Sequence, residues 1–170
     1  MTKHKPKIII VGAGLSGLTL ALSLAQSNFD IVVLEQASQL SEVGAGIQIS
    51  ANGARVLHLL GLESELAKVA FRPEQGEMRH WKTGETLISR PLGKTSVERF
   101  GFPYYHMHRY DFHRLLETAT RAAAPNAIRL QARVDTIKQN DRGVSAVLTS
   151  GDVIEGDVLI GCDGIHSVVR

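Results

Sequence analysis

The stretch KIIIVGAGLSGLTLALSLAQ, Lys7 to Gln26, decides the fold. Its first five residues are a β-branched run stopped by glycine, the pattern of a short strand buried on both faces. From about Ser16 to Ser27 the apolar residues Leu18, Leu22 and Ala25 recur at helical spacing. A second apolar run, DIVVLE at Asp30 to Glu35, closes a β-α-β unit, and a right-handed crossover makes its two strands parallel. Between the first strand and the helix lies G-x-G-x-x-G. Gly12 permits a tight turn, Gly14 lets the backbone approach a pyrophosphate, and Gly17 lets the helix pack closely on the strand. The helix start, with Leu15 and Ser16 in its opening turn, offers free N–H groups and a positive dipole end to phosphates. Glu35 lies 18 residues after Gly17, where a carboxylate accepts ribose hydroxyls and disfavours a 2′-phosphate.

The composition fits one ordinary globular domain. The chain has 170 residues, 44% of them hydrophobic, enough to bury a core. Its 19 basic and 17 acidic residues are interspersed, so no polybasic block marks a nucleic acid or a membrane surface as partner. The one cysteine, Cys162, excludes an internal disulfide framework and a Cys-rich zinc site. The opening MTKHKPK is basic, but the run after it is broken by glycines and carries no cleavage signature, so it does not read as a signal peptide. No run approaches the ~20 apolar residues of a membrane helix. The expected location is cytoplasmic.

Beyond Glu35 the segment QASQLSEVGAGIQIS reads as a glycine-rich loop, and a helix is expected from Asn52 to Leu60. GEMRHWKTGETLISRPL, Gly76 to Leu92, reads as two antiparallel strands around a Lys82-Thr83-Gly84 turn, the first piece of a second domain. A strand at Tyr104–His108 runs into a helix with Asp111 as its N-cap. Strands follow at Ile128–Gln131 and Val134–Lys138, then a hairpin leading into Asp157–Gly161, and GIHSVVR starts a further helix. His106, His108 and His113 match no ligand spacing, so no metal is expected. Trp81, Phe100, Phe102, Tyr104 and Tyr105 are expected in a core or between domains. The first motif leaves NAD and FAD open. The departure into a loop and an antiparallel insert, where a nicotinamide dehydrogenase adds further β-α units, favours FAD.

With VGAGIQISANGARVLHLLGL, HMHRYDF and DVLIGCDGIHSVVR in view, the sequence resembles the single-component FAD-dependent aromatic hydroxylases of the salicylate hydroxylase type. The resemblance extends over essentially the whole chain. It implies an α/β fold: a Rossmann-like, glutathione-reductase-like FAD-binding domain with an antiparallel β insert from the substrate domain, incomplete here. Residues 1–70 and 104–170 would form the discontinuous FAD-binding domain, and 71–103 the first part of the substrate-domain sheet. It implies cofactor contacts at Gly12, Gly14, Leu15, Ser16, Gly17 and Glu35, with Gln36 standing where a basic residue is frequent. Gly46, Ile47 and Gln48 would lie near the isoalloxazine ring; some relatives carry histidine where Gln48 stands. Arg109, in an H-R-x-x-L pattern whose leucine is Phe112 here, would meet the phosphates. The strand Leu130–Val134 would face adenine through its backbone. Asp163 and Gly164 would support the pyrophosphate, with Cys162 a small buried residue and no nucleophile.

The implied reaction is reduction of FAD by NADH or NADPH, followed by hydroxylation of a small aromatic substrate with oxygen through a flavin C4a-hydroperoxide. Relatives of this kind are more than twice as long, so the resemblance also implies an N-terminal portion, with a homo-oligomer or a further C-terminal portion as partner. No residue present is assigned as catalytic base. A catalytically silent FAD-binding fragment, a flavin oxidoreductase without oxygen insertion and a plain NAD dehydrogenase stay open as alternatives.

Overall fold

Four consecutive apolar residues, Ile8 to Val11, are 6% exposed or less, and Ile9 and Ile10 are wholly buried. A strand with both faces covered needs partners on both edges and layers above and below. The computed structural model supplies them. It describes residues 5–41 and 44–170; the basic Met1–His4 and the Glu42–Val43 part of the expected loop lie outside the described residues. In chain order the elements are β1 (Lys7–Val11), α1 (Leu15–Gln26), β2 (Asp30–Leu34), β3 (Gly46–Ile49), α2 (Ala51–Leu59), α3 (Glu63–Val69), β4 (Ala70–Phe71), β5 (Gln75–Arg79), β6 (Thr86–Pro91), α4 (Gly93–Phe100), β7 (Tyr105–His108), α5 (Arg109–Ala123), β8 (Ile128–Arg129), β9 (Val134–Asn140), β10 (Gly143–Leu148), β11 (Val153–Gly156) and β12 (Val158–Gly161). Packing divides them into two units, Met1–Glu42 with His113–Arg170, and Val43–Phe112.

The first unit is built on a parallel sheet of order β12-β1-β2-β8. β1 pairs with β2 from Lys7↔Asp30 to Val11↔Leu34 and with β12 from Ile8↔Val158 to Val11↔Gly161. Alternation turns Ile9 and Val11 to one face, where Leu34, Ala132, Val134, Ala146 and Leu148 complete a buried cluster with the antiparallel sheet β11-β10-β9. The opposite face carries α1, whose Leu18, Ala21 and Leu22 are buried. Each of the two buried leucines contributes about 2 kcal/mol and Ala21 about 0.8 kcal/mol. α5 is tied to α1 through the buried Thr120 hydroxyl, which donates to the Leu18 carbonyl at 3.2 Å. The parallel β-α-β unit and the later hairpin match the sequence reading.

Closeness between β1 and α1 rests on two glycines. Gly12 has φ +100° and a Cβ there would lie 2.5 Å from the Cys162 carbonyl oxygen. At Gly17 a Cβ would fall on the Gly12 carbonyl oxygen.

The second unit holds the antiparallel sheet β3-β7-β4, with helices α2, α3 and α4 and the separate hairpin β5-β6. Tyr105 of β7 is fully buried, and its hydroxyl meets His58 Nε2 at 2.9 Å and accepts from Arg72 at 3.1 Å. The hairpin buries little: Met78 is 59%, Trp81 88% and Leu87 56% exposed.

Several expectations are corrected. Part of the expected glycine-rich loop pairs as β3, because Ile47 and Ile49 alternate inward over four residues, too short a run to read from periodicity. Helices α3 and α4, seven and eight residues long, are too short to stand out by periodicity and add to the expected elements. α5 leaves β7 directly at Arg109, so Asp111 is inside the first turn, where its charge complements the dipole, and is not the N-cap. The strand expected over 130–134 is interrupted: β8 ends at Arg129, Gln131 takes φ +54°, and β9 begins at Val134. Trp81 and Phe100, expected to be covered, are exposed, Trp81 because it sits at the hairpin tip.

The closing GIHSVVR also forms no helix. Asp163 gathers it instead, accepting from Ser167 Oγ and Val168 N, both at 2.7 Å, and from Val169 N at 3.3 Å. Partial burial pushes the Asp163 carboxyl up, but the Ser167 hydroxyl and the Val168 and Val169 amides together hold it below the usual carboxylate range.

Two outcomes follow from this architecture. Gly17→Ala should cost about 3 kcal/mol in urea unfolding, since backbone must shift to admit the methyl. The Asp163 carboxylate is more acidic folded than unfolded, so its stabilisation is complete above about pH 4 and lost as pH falls through the depressed folded value. Hydrogen exchange should show the Val168 amide losing protection in that window, and Asp163→Asn should abolish the dependence.

Candidate functional site: a dinucleotide cradle

In the first unit, the turn between β1 and α1 is held by backbone. Gly12 N–H donates to the Leu34 carbonyl at 2.8 Å and Cys162 N–H to the Val11 carbonyl at 2.7 Å, which fixes the turn between the ends of three parallel strands. Ala13 is buried and held at both polar atoms. Its N–H donates to Glu35 Oε2 at 2.8 Å, and its carbonyl accepts from His113 Nε2 at 2.8 Å. Glu35 therefore arrives beside the loop as the sequence spacing required, at the end of β2. Its other oxygen accepts from Ala37 N–H at 2.9 Å. Each carboxylate oxygen keeps a second lone pair for a ribose hydroxyl.

Gly14 is the informative position. It is the N-cap of α1 with φ −72° and ψ −174°, a conformation open to any residue, and a Cβ there meets nothing within 4 Å. Neither strain nor crowding within the chain demands glycine. The space in front of it borders a helix start with no side-chain cap and no acid in its first turn. Leu15 is half-buried and Ser16 exposed on that turn. Open space, uncapped N–H groups and the positive dipole end together suit a pyrophosphate, and the Glu35 carboxylate nearby suits an adenosine ribose. The residues present fit FAD.

The flank of this cradle is ordered. Gln131 N–H donates to the Ala37 carbonyl at 3.0 Å and Ala132 N–H to the Glu35 carbonyl at 2.8 Å, so the 130–134 segment lies along the chain after Glu35 without being a strand. Leu130 is half-buried and Val134 buried in the core cluster, while Gln36 is exposed. Asp163 directly follows Cys162, which the β1–β12 pairing brings to the loop; Gly164 beside it has φ +80°. Burial, and then the Asp163 charge, push the half-buried Cys162 thiol up, away from nucleophilic use.

In the second unit, β3 and β7 place Gly46 opposite His108, Ile47 opposite Met107 and Gln48 opposite His106. Tyr104 OH donates to Gln48 Oε1 at 2.9 Å, and the Tyr104 and His106 rings meet edge-on at 5.5 Å. Arg109 N–H donates to the Ala45 carbonyl at 3.2 Å, and the aliphatic stem of Arg109 lies along Gly44, where a Cβ would stand 2.9 Å from Arg109 Cβ. Two partners lie beyond the sequence reading: His113, whose signal is a histidine beside the apolar Phe112 and Leu116 of α5, and Tyr104, expected in packing. Among the described residues no three His, Cys, Asp or Glu side chains converge as a metal site, and no helix is long and apolar enough to cross a membrane.

Comparison with known proteins gives the family. A 3-amino-4-hydroxybenzoate 2-monooxygenase of Streptomyces platensis, PtnB3, is 38% identical over 170 residues, 100% of this chain and 42% of that protein. A 6-hydroxynicotinate 3-monooxygenase of Pseudomonas fluorescens is 38% identical over 169 residues, 98% of this chain and 43% of that protein. The structure of Klebsiella pneumoniae HpxO with FAD and uric acid superposes with a TM-score of 0.83 at 27% identity, covering 100% of this chain and 42% of that one. The chain thus spans less than half the length of the relatives it matches. A family model described as FAD binding domain matches residues 5–170. That match reaches from the start of the described structure to its last residue, and the chain belongs to the FAD binding domain family.

Proposed function

We propose that this chain holds the FAD of an NAD(P)H-dependent monooxygenase that hydroxylates a small aromatic acid, of the hydroxybenzoate or hydroxypyridine-carboxylate kind its relatives are named for. The observation that carries the reading is Gly14, a glycine that neither strain nor crowding demands, facing open space at a helix start without a side-chain cap. In this reading Gly12, Gly14, Leu15, Ser16 and Gly17 receive the pyrophosphate through backbone N–H groups. Glu35 accepts the ribose hydroxyls, with Gln36 beside it, and the backbone from Leu130 to Val134 borders the adenine. Asp163 and Gly164 complete the phosphate side. Gly46, Ile47, Gln48 and Arg109 serve the flavin end and the phosphates. The domain assignment, residues 1–70 and 104–170 for FAD and 71–103 for the substrate sheet, belongs to the same proposal.

FAD, when bound, supplies electron transfer from reduced nicotinamide and activation of oxygen. The chain's own share is binding, orientation and exclusion of water. Gly14 and the first turn of α1 neutralise phosphate charge by dipole and N–H donation rather than by a lysine. Glu35 fixes the ribose and selects against a 2′-phosphate. Tyr104 holds the Gln48 amide by its carbonyl oxygen, which leaves the amide N–H groups to face a ligand acceptor.

Flavin titration followed by fluorescence quenching tests the reading. Wild type should bind FAD, and Gly14→Ala should weaken it at least tenfold while unfolding stability falls by no more than about 1 kcal/mol, the cost of a poorer N-cap in a backbone conformation alanine adopts. Equal FAD affinity in the two proteins would sink the assignment. Glu35→Ala should cost about 1–3 kcal/mol of FAD binding through loss of a charged acceptor. Oxidation of NADH or NADPH dependent on a hydroxybenzoate, with oxygen consumed, then separates a hydroxylase from FAD retention without turnover.

A further inference from the structure

His113 is 3% exposed, sits on α5 and takes part in no step of the function proposed above. Its Nε2 lies 2.8 Å from the Ala13 carbonyl oxygen, 100 residues earlier in the chain. A carbonyl only accepts, so Nε2 must carry the proton and donate. The Ala13 carbonyl and the Gly14 N–H belong to one planar trans peptide and point in opposite directions. Holding the carbonyl toward His113 therefore turns the Gly14 N–H away from α5. The peptide before it is set in the same manner: Ala13 N–H donates to Glu35 Oε2 at 2.8 Å, which directs the Gly12 carbonyl oppositely, to the spot that a Cβ on Gly17 would occupy. Two consecutive peptide planes are thus locked by one side chain each, Glu35 on the first and His113 on the second.

We infer that His113 is a positioning residue for anion binding: by donating to the Ala13 carbonyl it orients the Gly14 N–H for the pyrophosphate of a dinucleotide. The assignment rests on the reading that this loop holds FAD. It gives His113 a role distinct from Glu35, which touches ribose and fixes the other plane. It also explains why a polar ring stands in an apolar stripe: leucine there would pack, but would leave the Ala13 carbonyl buried without a donor and the second plane free to rotate.

The test compares ADP with adenosine, which keeps base and ribose but lacks phosphate. Binding of each to the whole chain is measured by NMR titration for wild type, His113→Leu and His113→Gln, the last carrying an amide N–H in place of Nε2–H. His113→Leu should lose about tenfold in ADP and FAD affinity, as for one lost hydrogen bond, with adenosine affinity unchanged, and His113→Gln should recover most of the loss. Equal weakening of ADP and adenosine, or no recovery with glutamine, would overturn the positioning role and reduce His113 to packing. If His113→Leu fails to fold, the comparison of His113→Gln with His113→Asn decides, since the shorter amide stops short of the carbonyl; equal ADP affinities for those two would overturn the role. Wild type binding neither ADP nor FAD is a different result, one that removes the FAD reading itself.

Discussion

The closest approach on which the first unit depends is between backbones. The Gly12 carbonyl lies where a side chain on Gly17 would have to be, and the Cys162 carbonyl crowds Gly12 in the same way. Three chain segments, the end of β1, the start of α1 and the residue after β12, thereby meet backbone to backbone, with the small Cys162 side chain beside Gly17. Everything proposed for the cradle follows from that economy of space. The helix start comes close enough to the strand ends for Glu35 to reach Ala13, and α5 close enough for His113 to reach it from elsewhere. A bulkier loop would still form a β-α-β unit, yet would hold the start of α1 away from the strand ends.

The glycines of this motif act differently. Gly12 answers to φ and to the Cys162 carbonyl, Gly17 to the Gly12 carbonyl, while Gly14 is required by neither strain nor crowding. The first two would be retained in any protein that packed this way; at Gly14 a side chain would meet only open space. The motif is thus architecture at two positions, and under the proposed function a site at the third.

The sequence disclosed this part well because its signals are local. A β-branched run, three spaced glycines and an acid 18 residues on are each read within one supersecondary unit. What stayed hidden depended on distant partners or short runs. β3 is four residues long and is a strand because β7 pairs with it, more than fifty residues later. The closing segment reads as helix by composition, but one carboxylate at Asp163 claims the amides that a helix would have used. His113 was visible as a histidine in an apolar stripe; that it serves Ala13 depends on how α5 meets the loop, which no periodicity reports.

The pairing of β1 with β12 also bears on how the chain acquires its structure. Lys7 N–H donates to Asp157 Oδ2, 150 residues later, and the central strand of the parallel sheet has no partner on that edge until β12 exists. The second unit, by contrast, is one uninterrupted stretch, Val43–Phe112. At about 5–20 residues per second, β1 waits roughly eight to thirty seconds after synthesis before β12 emerges. The inserted unit therefore has time to organise first, and the parallel sheet closes late, around a loop whose entropy cost has already been lowered by the folded segment within it.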